Sequence, residues 1–94
     1  MPRYMIERDI PEIGSAEYET LREAAGKSNA VLNDMKAERK NIQWAHSYVT
    51  SDKTFCIYLA SDAELIDEHA QRSGFPATKV TEIKRVIDPV TAEG

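Results

Sequence analysis

The stretch Ile42-Gln-Trp-Ala-His-Ser-Tyr-Val49, then Thr50-Ser-Asp-Lys53, then Thr54-Phe-Cys-Ile-Tyr-Leu59 reads as two strands joined by a tight turn. It holds the single Trp, the single Cys, one of the two His and one of the two Phe. Thr50–Lys53 supplies turn chemistry, because Asp52 tolerates unusual backbone angles. With an even loop, facing residues have opposite odd-even parity. Trp44, His46 and Tyr48 then share a face with Phe55, Ile57 and Leu59. Ala45, Ser47 and Val49 share the other face with Cys56 and Tyr58. The first set is larger and more apolar, which assigns it to the helix-covered core. An odd loop or a bulge changes that grouping.

The flanking segments extend the pattern on both sides. Arg3–Asp9 alternates and reads as a first strand, which Pro11 ends because proline cannot donate to a ladder. Ser15 is placed to cap a long helix whose apolar stripe is Leu21, Ala24, Ala25, Ser28, Val31, Leu32 and Met35. Gly26 within it marks a close backbone approach or a bend. Downstream of the hairpin, Ser61 and Glu64 have capping-box spacing. Leu65, Ile66, His69, Ala70 and Ser73 form the stripe of a second helix, which Gly74 closes in the left-handed region. Lys79–Asp88 reads as a fourth strand with a parity break near Arg85, and Pro89–Gly94 as a tail with room for a short edge strand. The order β-α-β-β-α-β is that of a ferredoxin-like α+β sandwich, one antiparallel sheet with two helices on one face, and residues 1–94 read as a single domain. The uncovered sheet face, given Cys56, Tyr58, Val49 and parts of the outer strands, is apolar, which predicts a homodimer packed through sheet or strand edges.

Composition bounds the function classes. The chain has 94 residues, 41% hydrophobic and 30% charged, with a net charge of −4. That balance suits a folded globular protein and argues against a nucleic-acid partner, which demands clustered cations. No apolar run approaches the roughly 20 residues of a membrane span. One cysteine forms no internal disulfide, and the start of the chain shows no apolar leader, so a cytoplasmic location is expected.

Three residues stand out as candidate metal ligands: His46, His69 and Glu7. Imidazole suits nickel, copper, zinc and cobalt. The predicted fold points His46 toward the helices and sets His69 on the inward stripe of the second helix, so they are free to approach one another or Glu7. Each also has a structural reading: a hydrogen-bonded, half-buried histidine, or a strand carboxylate paired with arginine. No close-spaced ligand motif is present. Cys56, between Phe55 and Ile57, reads as a small buried hydrophobe.

The segments Trp44-Ala-His-Ser-Tyr-Val and Asp52-Lys-Thr-Phe-Cys-Ile-Tyr-Leu-Ala resemble a family of small bacterial ferredoxin-like proteins, some of them described as nickel-binding. Arg3-Tyr-Met-Ile-Glu-Arg-Asp-Ile-Pro is similar to the first strand of that family. Glu68-His69-Ala70 and Gly74-Phe75-Pro76 are similar to the end of its second helix. The resemblance implies a cytoplasmic homodimer holding Ni²⁺ at its surface for sequestration. Two functions follow as expectations. One is a non-catalytic nickel-binding protein with His46, His69 and Glu7 as ligands. The alternative is a small-molecule-binding protein or enzyme with a pocket between sheet and helices, His46 as acid/base and Tyr48 or Tyr58 as hydrogen-bond donor.

Overall fold

The structure, a computed structural model, describes residues 1–94. The strands are β1 (Arg3–Asp9), β2 (Ile42–Val49), β3 (Lys53–Ala60) and β4 (Lys79–Ile83); the helices are α1 (Tyr18–Ala37) and α2 (Ala63–Ser73). The sheet order is β2-β3-β1-β4 with every neighbouring pair antiparallel. Each helix therefore crosses over one intervening strand, giving the expected ferredoxin-like α+β architecture.

The predicted helix stripes face the sheet, and part of each is buried. Ser28 and Met35 of α1, and Ile66, His69, Ala70 and Ser73 of α2, are buried against the sheet. They pack on Tyr4, Ile6, Cys56, Tyr58, Ala60 and Ile42. Apart from Ile42 of β2, those strand residues are even-numbered ones of β1 and β3, and this phase decides which sheet face the helices cover.

The hairpin has the even loop, with Val49 opposite Thr54 and His46 opposite Ile57. The register then shifts between Trp44 and His46, and Trp44 pairs with Tyr58, leaving Ala45 as the extra residue of a bulge. The expectation for the two faces is thus corrected in two ways. His46, Tyr48, Phe55, Ile57 and Leu59 lie on the open face, while Cys56 and Tyr58 lie under the helices. The bulge separates Trp44 from His46 and returns it to the covered side. Counting apolar residues on the hairpin alone misassigned the faces because both are apolar; β1, with Tyr4 and Ile6 buried, breaks the tie.

Boundaries differ where side-chain caps compete with other bonds. Ser15 ends a 3-10 turn (Ile13–Ser15), and α1 starts after Glu17, whose side chain makes no cap bond. That turn is bonded to the hairpin tip through Gly14 N–H to Ser51 O (3.0 Å), and Ile10 ahead of it through its N–H to Asp52 O (3.0 Å). A Cβ at Gly14 would stand 2.7 Å from Thr50 O, so only glycine permits this approach. Gly26, by contrast, has nothing within 4 Å of its would-be Cβ. Asp62, not Ser61, caps α2, accepting from Leu65 N–H at 3.2 Å. Gly74 closes α2 at φ 79° as predicted. β4 stops at Ile83 because its partner at that point is Arg3, the first residue of β1; beyond it no strand remains to pair with. Residues 89–93 form a 3-10 turn capped by Asp88, in place of an edge strand.

The C-terminal end of α1 is tied to α2 by ion pairs. Arg72 donates to both carboxylate oxygens of Glu38 at 2.7 Å each, and Lys40 donates to Glu68 at 2.6 Å. Hydrogen bonding from Arg72, then from Lys40, holds the Glu38 carboxyl down at about 2.

Candidate functional site

Two regions carry chemistry, one on each side of the sheet. On the open face, alternation along β1, β2 and β3 brings Glu7, His46 and Tyr48 out beside Met5, Phe55, Ile57 and Leu59. His46 is exposed. Its Nε2 lies 3.2 Å from the Tyr48 hydroxyl, and the rings meet edge to face with centroids 5.0 Å apart. That contact fixes the orientation of the imidazole. Glu7 accepts from Lys53 Nζ at 3.1 Å, and Asp9 approaches the same ammonium at 3.2 Å. Hydrogen bonds to Glu7 and then Asp9 raise the Lys53 ammonium above the usual lysine range.

The three ligand candidates are not brought together. Glu7 and His46 share a face, but β3 runs between their strands. Along β3, Glu7 stands opposite Phe55 and His46 opposite Ile57, so one strand and two residues of register lie between them. His69 lies on the other side of the sheet, 1% exposed. Its Nε2 is 3.1 Å from Ser28 Oγ, and its ring centroid is 5.3 Å from that of Tyr58. Burial, and then the positive charge of Arg8, pushes its imidazole down to about 4, so it is neutral at pH 7. No three His, Cys, Asp or Glu residues of the chain gather as a metal-holding group.

On the covered side, a cavity of about 380 Å³ opens between α1 and the sheet. Trp44, Cys56 and Tyr58 line it with Leu21 and Ala25 of α1 and Phe75 beyond α2. It lies between sheet and helices, but the predicted pocket has His46 and Tyr48 in its lining and both face away from this one. Of the residues expected there, Tyr58 remains. The polar groups at the cavity are ones that no motif flagged: Arg8, 3% exposed, and Ser28, 5% exposed. The signal for Arg8 was present in the sequence. It stands in phase with Tyr4 and Ile6, a charge on the buried side of an alternating strand.

The arrangement defines a small ferredoxin-like α+β protein with an outward imidazole on an uncovered sheet face and an open cavity between α1 and the other face. Residues 4–83 match the family described as nickel responsive protein SCO4226-like, and the chain belongs to that family. Its fold is similar to the crystal structure of SCO4226 from Streptomyces coelicolor A3(2), with a TM-score of 0.74 and 18% identity over 90% of this chain and 99% of that one. No curated protein matches the chain. No helix is long and apolar enough to cross a membrane.

Proposed function

We propose that this protein is a non-catalytic nickel-binding protein of the cytoplasm, acting as a homodimer that sequesters the ion. The observation that carries this reading is the exposed, oriented imidazole of His46 on an unpartnered sheet face, in a chain whose family is described as nickel responsive. Imidazole and carboxylate suit nickel in donor chemistry. In donor number, one chain falls short. A second copy laid on the apolar open face would bring a second His46 and a second Glu7 to the interface, which suits a two-fold, self-complementary contact. His69 is left out of this ligand set: it is enclosed behind the sheet and engaged by Ser28, and its role is to join the helices.

Isothermal titration with Ni²⁺ tests the proposal. Wild type should bind with micromolar or tighter affinity. His46→Ala should weaken binding by more than about tenfold, since loss of even a supporting partner of a ligand costs that much. His69→Gln should leave affinity unchanged. No heat with Ni²⁺, or equal affinity in His46→Ala, would refute it.

A further inference from the structure

Arg8 presents a charge problem that the nickel reading leaves unanswered. The residue is 3% exposed, yet it takes part in no salt bridge of the chain. A guanidinium carries five N–H donors. Here one bond is made, from Nη1 to Pro76 O at 2.7 Å, and the guanidinium carbon lies 5.8 Å from the centroid of the Phe75 ring. No fully enclosed side-chain nitrogen or oxygen of the protein lacks a partner. The nitrogens of Arg8 that make no bond therefore border open space, and the space that Arg8 lines is the cavity under α1. A buried cation without an anion is costly, and a carboxylate matches the guanidinium fork in shape and charge.

The rest of the cavity fixes the other half of the ligand. Its walls are mostly aliphatic and aromatic, with Trp44, Tyr58 and Phe75 around Leu21 and Ala25. The Ser28 and Tyr58 hydroxyls, 3.5 Å apart, add polar groups to the same lining. The volume of about 380 Å³ falls within the range of small-molecule sites. Exposed Tyr18 and Arg22 sit at the rim, at the start of α1, and give an entry route.

We infer that this cavity is a binding site for a small carboxylate with an aromatic or branched apolar body, its carboxylate on Arg8 and its body against Trp44 and Phe75. The site lies on the opposite side of the sheet from His46 and does not depend on metal.

Cinnamate and its neutral isostere cinnamamide test this by isothermal titration on the metal-free protein. Wild type should bind cinnamate, and should prefer it to the amide by roughly tenfold or more, as a charge-assisted pair requires. Arg8→Met should abolish that preference. Ala25→Phe should fill the cavity and remove cinnamate binding while the circular-dichroism spectrum and thermal midpoint show an intact fold. Should Arg8→Met fail to fold, the wild-type acid-to-amide ratio and Ala25→Phe decide the matter. Absence of cinnamate binding, equal affinity for acid and amide, or unchanged binding in folded Ala25→Phe would each overturn the inference.

Discussion

Ser28 Oγ of α1 and His69 Nε2 of α2 stand 3.1 Å apart, both residues buried, and form a hydrogen bond between the two helices. The histidine is held neutral: its folded value of about 4 lies below the ordinary 6.5. Between those two values the unfolded chain takes up a proton that the native protein refuses. Stability is therefore complete above pH 6.5 and falls as pH drops toward 4. The loss attributable to His69 is on the order of 3 kcal/mol across that window. Urea denaturation at pH 7 and pH 5 should show a steeper loss for wild type than for His69→Gln, which keeps a hydrogen-bonding group but does not titrate. Parallel pH profiles would remove His69 as the cause.

Gly14 and Gly26 should respond to alanine in opposite directions. At Gly14 a Cβ meets backbone, 2.7 Å from Thr50 O and 2.8 Å from Ser51 Cα, so the bond between the 3-10 turn and the hairpin tip must open. Gly14→Ala should cost about 1–3 kcal/mol. Gly26 sits mid-helix with free space around it, and Gly26→Ala should add about 0.5–1 kcal/mol. Thermal midpoints of the two variants check both signs.

The open sheet face should prove to be the self-association surface. Ile57 lies at its centre, opposite Met5 on one side and His46 on the other. Ile57→Lys puts a charge into the proposed interface without touching the helix-covered core. Light scattering should give twice the chain mass for wild type and the single-chain mass for Ile57→Lys, with an unchanged circular-dichroism spectrum. A monomeric wild type would show that this face serves another purpose.

Much of this fold was legible because its determinants are local. The alternation of Arg3–Asp9, the stripe from Leu21 to Met35 and the left-handed Gly74 each follow from short-range periodicity or backbone sterics. The orientation of the hairpin was not legible from the hairpin, since Phe55, Ile57 and Leu59 compete as core with Cys56 and Tyr58. It is settled by Tyr4 and Ile6, far away in sequence but adjacent to Tyr58 and Cys56 through the β1–β3 register. The Trp44–His46 bulge leaves no mark in the residue types, and the end of β4 depends on where its neighbour begins. The same long-range choice governed the site. Once the covered face is fixed by β1, His46 and Glu7 turn outward on strands either side of β3, and Arg8 turns inward to the cavity.

Nickel placement tests the central claim most directly. Crystals of the protein grown with Ni²⁺ and measured at the nickel absorption edge should give an anomalous peak at the imidazole of His46, on the open face and between two copies of the chain. A peak beside His69 behind the sheet, or none at His46 in nickel-saturated crystals, would contradict it.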